Sequence, residues 1–155
     1  MLAACAPIMP PLVSRLRSAF LTGGCGSALY VRPLSRMSQL FRTTVWQVVL
    51  PDKWQAGTGE TDELVKLWNP EGVGSLTVIS RADNNPPPRD SRAKDFCGKL
   101  QGKALEFSGG SSFARHWSLL CGGQWIYIRY SCAAQNSEIE RGDVDAILRN
   151  ISEAV

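Results

Sequence analysis

The sequence has a single histidine, and its five cysteines include no Cys-x-x-Cys pair. Cys5, Cys25, Cys97, Cys121 and Cys132 are odd in number and scattered, which argues against a disulfide framework and a structural zinc site. Cys97, Cys121 and Cys132, the three beyond Met37, read as small buried apolar residues in a reducing compartment, so a cytoplasmic location is expected. There is no Gly-x-Gly-x-x-Gly, no phosphate loop with its lysine and no Gly-x-Ser-x-Gly. Gly109-Gly110-Ser111-Ser112 comes nearest, but without a lysine and a following helix it reads as a hairpin connection. No group of His, Cys, Asp and Glu has metal-ligand spacing, so neither a metal nor a cofactor is expected. No apolar run is long enough to span a bilayer.

Acidic residues are absent before Asp52, and this changes the meaning of the +3 net charge. Arg15, Arg17, Arg32 and Arg36 all precede Met37; removing those four from 17 basic residues leaves 13 against 14 acids. From Met37 onward the chain is about −1, so it lacks the basic surface that nucleic-acid binding requires. No nucleic-acid partner is expected.

Residues 1–36 are rich in Ala, Pro, Gly, Ser and Arg and show no sustained period. Arg15 and Arg17 interrupt the apolar stretch that a secretory signal needs. Leu21-Thr22-Gly23-Gly24-Cys25 has its Leu one place too early for a lipoprotein cleavage box. The Arg-rich, acid-free composition also suits an organelle transit peptide. The preferred reading is an upstream start, with Met37 opening the structured part. A poorly ordered extension over 1–36 is therefore expected, followed by one domain over 37–155.

Within that domain, β-branched and aromatic residues predict strands at 43–50, 63–68 and 75–81, the last two joined by the turn Asn69-Pro70-Glu71-Gly72. Ala93, Phe96, Cys97 and Leu100 recur at helical spacing, with Asp90 or Ser91 as N-cap and Gly102 as stop. A strand over 103–108 follows. The next hairpin, 112–121 and 124–132, turns on Gly122-Gly123, a two-residue loop that sets the register. It pairs Leu119 with Ile126, Trp117 with Ile128 and Arg115 with Tyr130. Phe113, Trp117, Leu119, Ile126, Ile128 and Cys132 then face the core. Ala114, His116, Ser118, Leu120, Trp125, Tyr127 and Arg129 face outward. Val144, Ile147, Leu148, Ile151 and Val155 mark a closing helix, with Ser137-x-x-Glu140 as a capping box before it. The expected fold is α+β, an antiparallel sheet of about six strands with two helices packed on it, ordered βββ-α-βββ-α.

Three stretches resemble the PsbP-like superfamily, which includes the Mog Ran-binding proteins and the DcrB proteins. They are Val48-Val49-Leu50-Pro51-Asp52-Lys53-Trp54, Leu67-Trp68-Asn69-Pro70-Glu71-Gly72 and Asp143-Val144-Asp145-Ala146-Ile147-Leu148. The likeness spans roughly 41–151. The superfamily has no shared catalytic residues, so no site is carried over. The resemblance implies an accessory protein that binds a protein partner, such as a GTPase, a photosystem or a secretion effector.

The residues themselves point the same way. His116 could act as a general base with Cys121 or Cys132 as nucleophile, but both cysteines fall on the opposite face from it. A solvated surface histidine opposite Arg129 is the better reading. Trp46, Trp68 and Trp117 fall on expected core faces, and Trp54 at the sheet edge. Trp125, Tyr127, Arg129 and His116 share the outer face and have the residue types that dominate binding hot spots. The expected function is a non-enzymatic accessory or protein-interaction module, as an effector chaperone or toxin-neutralising protein would be, with those four residues as its contact surface. The alternative is a small-ligand carrier with a cavity between sheet and helices, lidded by Trp54 and the loop 55–61.

Overall fold

The computed structural model describes residues 38–59, 63–82 and 85–155, which fall in one compact unit. The expectations for residues 1–36 lie outside the described residues. The fold is mostly β, with two antiparallel sheets and, among the described residues, one helix longer than a single turn. A three-stranded sheet has the order β1 (Gln39–Arg42), β2 (Trp46–Leu50), β10 (Ser152–Glu153). A seven-stranded sheet runs β3 (Gln55–Thr58), β4 (Leu64–Trp68), β5 (Gly74–Arg81), β9 (Gln124–Ala133), β8 (Ser112–Cys121), β7 (Gln101–Gly109), β6 (Lys94–Cys97). Helix α1 (Arg141–Asn150) and the small sheet contribute to one core with the inner face of the large sheet.

This overturns the expected α+β sandwich with two helices. The Ala93–Leu100 periodicity forms no helix: Lys94–Cys97 is the edge strand β6, paired with Gln101–Ala104 of β7. An isolated helix of that length is marginal, and Gly98 weakens it further. The strand turns Phe96 inward and leaves Cys97 exposed, and Leu100 is buried beyond the bend. Asp90 does cap a turn, accepting the Arg92 N–H at 2.9 Å, but a strand follows it. Edge strands β1, β3 and β10 were also missed, because short strands carry little alternation of their own.

The Gly-Gly hairpin forms as read. Leu119 opposes Ile126, Trp117 opposes Ile128 and Arg115 opposes Tyr130. Gly122 and Gly123 take φ of +56° and +80°, as a primed two-residue turn requires. Trp117, Leu119, Ile126 and Ile128 are buried, joined on the inner face by Cys121 and Tyr130. Two tryptophans depart from expectation. Trp54 lies in the core, its indole N–H donating to Asp143 Oδ2 at 3.4 Å, so it is no lid. Trp68 is half-buried on the outer face.

The expected capping box also has a different role. Glu140 is 4% exposed, and its Oε2 accepts the Gly74 N–H at 2.8 Å and the Tyr130 hydroxyl at 3.0 Å. This carboxylate ties the β4–β5 turn, β9 and the start of α1 together. Burial, then the Cys132 and Glu140 contacts, push the Tyr130 phenol well above its ordinary pKa. The helix stripe is buried at Val144, Ile147, Leu148 and Ile151 but stops there, leaving Val155 exposed. The chain instead extends into β10, where the Ala154 N–H donates to Val45 O at 3.0 Å.

Candidate interaction face

One face of the large sheet packs against α1 and the small sheet; the other carries no helix among the described residues. Its residues follow from strand alternation and pairing. Lys66, Thr77, Arg129, His116 and Leu105 form one transverse row across β4, β5, β9, β8 and β7. Trp68, Ser75, Ser131, Ala114 and Phe107 form the next row on one side. On the other side lie Leu64, Ile79, Tyr127, Ser118 and Lys103, and then Arg81, Trp125 and Leu120.

The stretch 85–93 of the β5–β6 connection meets this face at Tyr127 and at Phe107. It carries Pro86, Pro87 and Pro88, which favour an extended strap. Asn85 O accepts the Tyr127 hydroxyl at 3.2 Å, and the Arg92 guanidinium stands 5.6 Å from the Phe107 ring centre.

The four residues expected to form the contact surface lie on this face in successive rows of β8 and β9. Arg129 is exposed and directly opposite His116. Tyr127 is tied to the strap, and Trp125 is half-buried a row beyond it. His116 packs against Phe107 with the rings tilted at 57° and their centres 4.8 Å apart. Burial pushes its imidazole below the ordinary pKa, and the Arg129 charge pushes it the same way.

Two open depressions lie side by side here. One, of about 480 Å³, is lined by residues including Lys66, Trp68, Ser75 and Ser131, with the β4–β5 turn as its wall. The other, of about 430 Å³, includes Phe107, Ala114, His116 and Arg129. Neither has an acidic residue in its lining. Lys66 and Arg129 have no ion-pair partner among the described residues, whereas Lys103 pairs with Asp95 and Arg92 with Asp90.

Sequence reading missed Lys66, Trp68, Ser75 and Ser131 as part of this surface. The Asn69–Gly72 turn places Lys66 opposite Thr77, but nothing local brings β5 beside β9. On the inner side, Trp46, Trp54, Trp117 and Tyr130 fill the space where a carrier cavity was expected. No group of three or more potential metal ligands occurs among the described residues. No helix among them is long and apolar enough to cross a membrane.

No protein family matches the chain, and no curated protein does. The PsbP-like likeness therefore rests on its motifs alone. A solved structure from Bacteroides thetaiotaomicron is similar in fold, with a TM-score of 0.52 at 10% identity. The match covers 76% of this chain and 49% of that one, so the chain spans about half the length of the protein it resembles.

Proposed function

We propose that this protein is a non-enzymatic accessory module that binds a protein partner on the outer face of its large sheet. The observation that carries this reading is a sheet face that, among the described residues, no helix or second sheet covers, and that displays Trp125, Tyr127, Ile79 and Leu120 beside Lys66 and Arg129, cations without an ion-pair partner among those residues. A sheet face with no structural partner is normally polar. Aromatic and Arg side chains gathered on such a face supply area at low entropic cost and charge for orientation. The spatial separation of His116 from Cys121, which is buried on the other face, agrees with a binding role.

The test is affinity capture from native lysate with the full chain as bait. A Trp125→Ala/Tyr127→Ala variant and a Leu40→Ser/Val49→Ser variant of the exposed small-sheet surface run beside it. A partner held by the parent and the small-sheet variant, and lost by the outer-face variant with an unchanged circular dichroism spectrum, supports the reading. Equal recovery by all three baits counts against it.

A further inference from the structure

We infer that the two depressions form one groove for an extended acidic segment, in which Lys66 and Arg129 each receive a carboxylate. This rests on the proposed docking face and specifies the chemistry of what binds there. The argument begins with register. Lys66 and Arg129 occupy the same transverse row, separated only by Thr77, so their backbones are two interstrand steps apart, roughly 9–10 Å. Both lack ion-pair partners among the described residues, and neither depression is lined by an acid, so charge complementarity calls for an anion at each.

The neighbouring row supplies the rest of the recognition surface. Trp68 and Phe107 stand at its two ends, with the hydroxyls of Ser75 and Ser131 between them. An aromatic-flanked groove with hydroxyl donors suits a polyproline II chain, which brings apolar edges and unpaired carbonyls. That conformation repeats every three residues with a rise of about 3.1 Å each, so acids at i and i+3 lie about 9.3 Å apart on one side. The spacing matches the two cations. A nucleic-acid backbone would need many more cations than the two this groove offers.

His116, beside Arg129 and the chain's only histidine, is a built-in reporter. The test uses the full-length protein and a synthetic peptide of repeating Glu-Pro-Pro, with Gln-Pro-Pro and Lys-Pro-Pro peptides as controls. Binding is followed by calorimetry and by the His116 imidazole signals in NMR. The Glu peptide should bind and move those signals, and the controls should not. Lys66→Gln and Arg129→Gln should each weaken binding by about tenfold or more, and added salt should weaken it further. Melting curves confirm that both variants remain folded.

No binding of the Glu peptide at low salt overturns the inference, as does unchanged affinity in the Lys66→Gln variant. Inorganic phosphate or a single-stranded oligonucleotide moving His116 as strongly as the peptide also overturns it, in favour of a small-anion or nucleic-acid site. A cellular partner lost by Trp125→Ala/Tyr127→Ala but kept by both Gln variants sinks the groove while leaving the docking face intact.

Discussion

Single residues on the two faces of the sheet respond differently to pH and to mutation. His116 is half-buried next to a fixed positive charge, and both effects lower its pKa below the ordinary 6.5. The unfolded chain therefore takes up a proton at a higher pH than the folded one, and stability should fall as pH drops through that value. Arg129→Gln removes the second cause, so the imidazole should titrate at a higher pH and the acid-side loss should shrink. An NMR titration reads this directly; a parent pKa at or above 6.5 would refute the assignment. On the inner face, Glu140→Ala leaves the Tyr130 hydroxyl and the Gly74 N–H without their acceptor. It should cost about 1–3 kcal/mol in urea unfolding. Glu140→Gln keeps an oxygen acceptor at the same place and should cost less. Gly74→Ala should be as damaging as the alanine variant, since its Cβ would stand 2.5 Å from the Tyr130 hydroxyl.

At the scale of elements, what could be read from sequence was local. The β8–β9 register and the β4–β5 turn followed from Gly122-Gly123 and from Asn69-Pro70-Glu71-Gly72, because turn chemistry constrains its immediate flanks. Arg129 and His116 could be placed opposite each other for that reason. Lys66 could not be joined to them, because β5 and β9 pair across a long stretch of chain. Strand β6 was misread because two helical turns of apolar spacing in Ala93–Leu100 also satisfy an edge strand and the bend after it. Strand β10 was missed because its pairing with β2 lies at the far end of the described chain. The Gly-Gly turn gives the check at this scale. Gly122 and Gly123 have left-handed φ, so an alanine at either should lower stability by about 1–2 kcal/mol. An unchanged urea midpoint for both variants would mean that the strands alone hold the register.

Across the whole molecule, the groups proposed to bind and the groups that hold the fold lie on opposite faces of one sheet. Trp46, Val48 and Leu50 of the small sheet belong to the same buried cluster as Trp117, Ile128 and Ile147. The Trp46 indole N–H donates to Ser80 of the large sheet at 3.1 Å, and the Cys121 thiol reaches Val45 O at 3.4 Å. The Gly122 N–H donates to Glu153 of β10 at 2.6 Å, so the tail of the chain clasps the hairpin turn. Two sheets joined through one core should unfold together. Urea transitions followed by circular dichroism and by tryptophan fluorescence should therefore coincide. Trp46→Ala should shift both by about 3–5 kcal/mol, a large share of a typical domain's stability of about 5–15 kcal/mol. Lys66→Gln and Arg129→Gln should move neither transition by more than about 0.5 kcal/mol, because no packing or pairing among the described residues depends on them. A Trp46→Ala protein that loses only part of its transition would show that the small sheet unfolds independently. A large loss of stability in Arg129→Gln would assign that residue to the fold and remove it from the binding surface.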